Sequence, residues 1–295
     1  MLAPSSLIFH PRTAVAIADY MRQPSHALLI SGTSGSGKAS VAQYITAGML
    51  GLSSDTPDAI AKHQYIRIIR PIDNKAIPIE TVRSLQHFLH LTIPGKVVQS
   101  FSRAVIIEDA QFLTIEAQNS LLKTLEEPPR DTVIIMTASS IDSLLPTIQS
   151  RVRELAVLPP AADTLTEYFS SHGHKSSDIQ RAMMLSGELP GLTAALLAED
   201  TAHPLVVATT HARGILQSKT YQRLLLVDGL SKQRQLCLDI LYVLGQMSRT
   251  AIRRTSDPKA IQRWRTVMQA TYDATEQLQY NTQTKLVLTN LMLKL

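Results

Sequence analysis

Through the first half of the chain, short apolar runs alternate with stretches whose apolar residues return every three or four positions. "HALLIS" (26–31) is a short apolar run that precedes a glycine-rich segment, the pattern of a buried strand. Residues 38–50 then read as a helix with Val41, Tyr44, Ile45 and Met49 on one side. "YIRIIR" (65–70) predicts a second strand, and "IPIETVRSLQHFLHL" (77–91) a helix carrying Val82, Leu85, Phe88 and Leu89. "RAVIIEDA" (103–110) predicts a third strand that ends in acid, and "TIEAQNSLLKTLEE" (114–127) a helix. Thr114 suits the cap of that helix, although Ala117 three residues on forms no capping box. "TVIIMTA" (132–138) is a fourth strand; "RVRELAV" (151–157) is a fifth, more polar and so expected at an edge. Such alternation indicates a parallel sheet covered by helices on both faces, with ligands beyond the carboxyl ends of the strands.

After "LPPAAD" (158–163) the strand signal fades. Residues 163–200 read as two or three short helices, broken at "SHGHKSS" and "GELPG". Residues 204–295 read as helix throughout, with turns expected at Gly229 and Pro258. The expected division is an α/β P-loop domain over 1–158, a small helical domain over 159–203 and an all-helical domain over 204–295.

Composition narrows the class. The 295 residues are 44% hydrophobic, with mean hydropathy +0.03 and no apolar run of the ~18 residues a membrane span needs. The amino-terminal residues lack a signal-peptide pattern, so the cytoplasm is the expected location and no membrane partner is expected. The single cysteine, Cys237, excludes an internal disulfide and any multi-cysteine zinc site. The net charge is +5. Eleven Lys or Arg lie between Arg213 and Arg265, against Asp228, Asp239 and Asp257. That excess suits DNA phosphates, an acidic partner, or simply a solvated helix face, and no interleaved aromatics suggest base stacking.

The candidate chemistry begins at "SGTSGSGKAS" (31–40). Gly32, Gly35, Gly37 and Lys38 follow the phosphate-binding pattern, in which backbone N–H groups and a helix amino terminus surround phosphate oxygens. The hydroxyl that would ligate Mg²⁺ is missing: Ala39 stands there, and Ser40 points about 100° further round the helix. The acids of "VIIEDA" are Glu108 then Asp109. The alternative readings are a plain glycine turn and a strand-end turn.

Three segments, "SHALLISGTSGSGK", "AVIIEDAQFLTIEAQNSLLKTLEEPP" and "LLPTIQSRV", occur in this order, and together they resemble the bacterial DNA polymerase III clamp-loader family, its delta-prime subunits above all. The resemblance covers roughly residues 20–200. It implies an AAA+ fold: a five-stranded parallel-sheet domain, a helical lid and a helical collar for oligomerisation. It also implies a place in a five-subunit ring with motor and delta subunits, which opens a sliding clamp and loads it on primed DNA. Working motors of this family place Asp before Glu, the Asp for Mg²⁺ and the Glu for the attacking water; the reversed Glu108-Asp109 compromises both roles. Leu192 stands near the place of a phosphate-sensing arginine. Thr137 to Ser140 covers the sensor position after the fourth strand, with the hydroxyl concerned left open. No cysteine stands where many members hold a zinc module, so no zinc is expected, and His63 reads as a surface residue. The family's Ser-Arg-Cys motif is Ser150-Arg151-Val152 here, which makes Arg151 the candidate arginine finger for a neighbour's ATP; an exposed arginine in a salt bridge is the plainer reading. The expectation is a delta-prime-like chain with weak ADP or ATP binding at most. The rival is an active gamma/tau-like motor, opposed by Ala39, Glu108-Asp109 and Leu192; a third reading is a P-loop scaffold unrelated to replication. Finally, Leu121, Leu122 and Leu125 should pack their helix on the sheet, and Pro128-Pro129 should end it. That leaves Glu126 and Glu127 at a helix carboxyl end, where the dipole disfavours anions; the readings are a cationic partner, for instance across a subunit interface, and simple solvent exposure.

Overall fold

The computed structural model describes residues 7–52, 56–72, 75–90, 101–129, 131–200, 203–279 and 282–295. Within them the chain divides into two compact units, Met1–Pro160 and Ala161–Leu295.

The first unit runs α1 (Pro11–Arg22), β1 (Ala27–Ser31), α2 (Lys38–Leu50), α3 (Pro57–Lys62), β2 (Ile66–Ile69), α4 (Ile79–His90), β3 (Arg103–Ile107), α5 (Ile115–Glu126), β4 (Thr132–Ala138), α6 (Pro146–Gln149) and β5 (Arg153–Ala156). Leu91, expected in the second helix, lies outside the described residues, as do residues 53–55. All strand pairs are parallel, in the order β2-β3-β4-β1-β5, so β5 is an edge as its polar sequence predicted. Alternate residues of the three central strands serve opposite faces. Leu29, Val105, Ile107, Ile134 and Met136 pack with Val82, Leu85, Leu121 and Leu125 of α4 and α5. Leu28, Ile30, Ile106, Val133 and Ile135 pack with Ile17, Tyr20, Val41 and Ile45 of α1 and α2. Burial on both faces is why β1, β3 and β4 read as continuous apolar runs rather than alternating ones.

Some helices start at a side-chain cap. Thr114 Oγ1 accepts the Ala117 N–H at 3.2 Å at the head of α5. At the head of α2 the cap is Gly37, at φ 90, a left-handed conformation that a side chain strains.

The second unit is helical: α7 (Ala162–Ser171), α8 (Ser176–Ser186), α9 (Pro190–Leu197), α10 (Pro204–Gln217), α11 (Thr220–Leu230), α12 (Arg234–Arg254), α13 (Pro258–Gln279) and α14 (Thr284–Lys294). The turn expected at Pro258 lies just before it, at residues 255–257, and Pro258 opens α13; Gly229 lies within the last turn of α11 rather than in a loop, and the break comes after Leu230. One core holds Leu189 and Leu192 together with Ile215, Leu241, Leu244 and Val287. Cys237 is buried there, its thiol donating to the Leu230 carbonyl at 3.1 Å, and burial pushes its pKa up to about 11.

Candidate functional site

The glycine-rich loop joins β1 to α2, at the carboxyl edge of the sheet. Gly32 N–H is held by the Ala138 carbonyl at 3.2 Å, which ties the loop to the end of β4. A Cβ on Gly32 would lie 3.0 Å from Ser36 Oγ and 3.0 Å from the Val157 carbonyl oxygen, so only glycine lets the loop close. Inside it, Lys38 is nearly buried and donates to the carbonyls of Gly32 at 2.8 Å and Thr33 at 3.1 Å. Burial lowers the Lys38 pKa, and the nearby Asp109 carboxylate partly offsets this. Ser36 Oγ is buried with no hydrogen-bond partner among the described residues. A cation, an orphaned hydroxyl and a helix amino terminus that converge on one loop fit a phosphate.

They do not fit Mg²⁺. Ala39 is exposed and has no ligand atom, and Ser40 is half-buried one position further on. Glu108 is bound by Arg70, which follows β2: Arg70 Nη2 donates to Glu108 Oε1 at 3.1 Å. Burial raises the Glu108 pKa, Arg70 lowers it and Asp109 raises it. Asp109 turns left-handed, at φ 50, just past β3. Its N–H donates to Thr137 Oγ1 at 2.9 Å, and its Oδ1 accepts from Gln111 Nε2 at 3.2 Å. Among residues 137–140, Thr137, buried on β4 opposite Ile30 of β1, is the one whose hydroxyl reaches the acid turn. A guanidinium is paired with one carboxylate, and the other is engaged by an amide. That set differs from the open oxygen ligands a divalent ion takes.

Arg151 lies elsewhere. It follows α6 and precedes β5, two residues before the strand rather than at its start. Arg153 pairs with Leu28 near the beginning of β1, so Arg151 is at the amino edge of the parallel sheet. The loop is at the opposite edge, roughly one strand length or about 15 Å away. Glu126 ends α5 at this same amino edge, and Arg151 Nη2 donates to its Oε1 at 2.6 Å. Nη1 donates to the Thr147 carbonyl at 2.9 Å and to Ser150 Oγ at 3.1 Å. The cation expected to meet Glu126 across an interface is therefore supplied by this chain, because α5 and α6 end side by side.

Two residues were missed from the sequence. Arg70 gave no signal beyond a cation at a strand end. Gln118 gave one: it is a polar residue on the apolar face of α5, level with Leu121 and Leu125. It is buried, donates to the Leu113 carbonyl at 3.2 Å and accepts the Leu145 N–H at 2.9 Å, so it fixes the approach to α6. Leu192 is buried in the second unit's core. His63 Nδ1 accepts the Tyr65 N–H at 3.3 Å and its ring packs edge-on to Tyr65.

Comparison with known proteins places this arrangement. Residues 18–161 match the family model described as DNA polymerase III, delta subunit. DNA polymerase III subunit delta' of Pseudomonas aeruginosa is 30% identical over 225 residues, covering 71% of this chain and 62% of that protein. The Escherichia coli subunit delta' is 36% identical over 100 residues, 34% of this chain and 30% of that one. The chain thus resembles the DNA polymerase III delta-prime subunits. Its matches span less than two thirds of the length of these delta-prime relatives. A DNA polymerase III gamma subunit-related protein of Thermotoga maritima shares the fold, with TM-score 0.51 and 18% identity over 96% of this chain and 97% of that one. The five-stranded parallel sheet followed by a helical region is thus a fold shared with that gamma subunit-related protein.

Proposed function

We propose that this chain is a delta-prime-like member of a ring that loads a sliding clamp onto primed DNA in replication, alongside motor and delta subunits. In that reading Arg151 serves the ATP of a neighbouring motor. The observation that carries it is the placement of Arg151 at the edge of the sheet opposite the chain's own phosphate loop. A guanidinium about 15 Å from the loop is out of reach of a nucleotide there, so its phosphate must come from another subunit. Arginine suits that role: its charge is permanent, its fork matches phosphate oxygens, and such fingers raise phosphoryl-transfer rates by about 10³–10⁵.

The chain's own loop fits phosphate without metal chemistry, so Gly32, Gly35, Gly37, Lys38 and Ser40 would hold ADP or ATP weakly and with little dependence on Mg²⁺. Glu108 and Asp109 do not join in turnover. The retained Lys38 cradle is what favours the second reading, an active gamma/tau-like motor.

The test is DNA-stimulated ATP hydrolysis by reconstituted rings, with assembly followed by size exclusion. Arg151→Ala lowers turnover at least about tenfold with assembly intact, while Lys38→Ala changes it less than about twofold. The reverse order of effects, or turnover of about one per second by the isolated chain, sinks the proposal in favour of the motor reading.

A further inference from the structure

Six cationic side chains crowd one end of the second unit. The helices α12 and α13 pack along each other and are joined by only Thr255, Ser256 and Asp257, so they form an antiparallel hairpin. Arg249, Arg253 and Arg254 belong to its first arm, and Lys259, Arg263 and Arg265 to its second; all six are exposed. At 1.5 Å per residue they fall within roughly 12 Å of the hairpin turn. Two acids temper them. Glu188 pairs with Arg254 at 2.8 Å and Arg253 at 3.7 Å. Asp257 caps α13 by accepting the Lys259 N–H at 3.1 Å. Arg249, Lys259, Arg263 and Arg265 have no ion-pair partner among the described residues. Beyond the turn, Arg265 lines a cleft of about 420 Å³ with Gln262, Gln269, Lys294 and Asp273, whose carboxylate pairs with Lys294 at 3.2 Å and leaves Arg265, among the described residues, as the unpaired cation there.

We infer that this hairpin end is a docking surface for the sugar–phosphate backbone of a nucleic acid. Charge of one sign, concentrated and largely unneutralised, is the footprint of phosphate binding. Five of the six cations are arginine, whose planar fork engages phosphate oxygens in pairs. A protein partner would call for apolar anchors at the centre of the patch. The large apolar side chains exposed in this unit include Met184, Tyr221, Leu225, Tyr272 and Leu286, and none belongs to residues 249–265. Trp264 is partly buried, so the surface offers charge rather than a stacking platform. The inference goes beyond the role of Arg151 and does not depend on it.

Fluorescence anisotropy of the full chain against a labelled DNA duplex tests it, with salt varied between about 50 and 200 mM. Four free cations predict a log–log salt slope of about −3 to −4. The pairs Arg249→Gln with Arg265→Gln, and Lys259→Gln with Arg263→Gln, should each weaken binding about tenfold and reduce the slope by about 2. The control pair Arg12→Gln with Lys175→Gln removes the same charge elsewhere and should change affinity less than about twofold. Duplex binding without a salt slope, equal losses in the control, or capture of poly-glutamate in preference to DNA would each overturn the inference. Duplex binding that fails only in the hairpin variants supports it, whether or not Arg151→Ala affects rings.

Discussion

Glu126 and Arg151 show how a modest contact can sit on the side chain proposed to act in trans. Their 2.6 Å bond is short, but Arg151 is 35% and Glu126 51% exposed, so water screens the pair. Exposed pairs of this kind contribute about 0–1 kcal/mol. If Arg151 acts as proposed, a neighbour's phosphate has to compete with that carboxylate for Nη2, and with Thr147 and Ser150 only for Nη1. Removing the carboxylate should therefore release Arg151 without unfolding anything. Glu126→Gln is expected to raise ring ATPase, by no more than about fivefold, since 1 kcal/mol corresponds to about that factor. Turnover that instead fell as far as in Arg151→Ala would mean that Glu126 orients the guanidinium and does not restrain it. At this scale the sequence was partly legible. Acid at a helix carboxyl end announced a missing cation, because the dipole is a local property. The identity of the cation was not legible: Glu126 and Arg151 are 25 positions apart, and only the fold brings the ends of α5 and α6 together. The pairing of Arg70 with Glu108, 38 positions apart, was hidden for the same reason.

Elements were easier to read than their junctions. The central strands declared themselves because both faces of a parallel sheet are buried, and Thr114 declared the start of α5 through its hydroxyl. Gly229 misled because a glycine near a helix end need not be the residue past that end. Gly187 is such a residue: it follows α8 at φ 67 and ends the helix in the left-handed conformation. It also marks a close approach. A Cβ there would stand 2.6 Å from Gln246 Cβ and 3.3 Å from Gln246 Cα, so α8 ends directly against α12. Gly187→Ala meets two penalties, about 1–2 kcal/mol for the left-handed residue and about 1–3 kcal/mol for overpacking. The variant should lose about 2–5 kcal/mol in chemical denaturation, with an unchanged denaturant slope. A change below about 0.5 kcal/mol, the range of ordinary surface substitutions, would mean that α8 and α12 separate freely.

At the scale of the whole chain, the boundary near 158–163 was visible as a loss of strand signal joined to Pro159 and Pro160, and the first compact unit ends at Pro160. The expected further division at 203 has a different physical standing. Leu189 is 4% exposed and Leu192 1%, and they share a core with Leu205, Ile240, Leu241 and Leu244 from beyond that point. Periodicity shows which residues of a helix are apolar, but not whether their partners lie before or after a linker. The two cut points therefore make opposite predictions. A fragment of residues 1–160 keeps both faces of its sheet covered by its own helices, from Ile17 and Val41 on one side to Val82 and Leu125 on the other. It should be monodisperse and unfold in one cooperative transition. A fragment of residues 1–203 adds α7 to α9 without the helices that cover Leu189 and Leu192. Each fully buried leucine that becomes exposed forfeits about 1.5–3 kcal/mol, enough to leave three short helices unfolded or aggregating. Circular dichroism and size exclusion on the two fragments decide the matter. If residues 161–203 contributed their full helical signal in the longer fragment and it remained monomeric, those helices would be a self-sufficient domain, and the shared core would be an association of two folded parts.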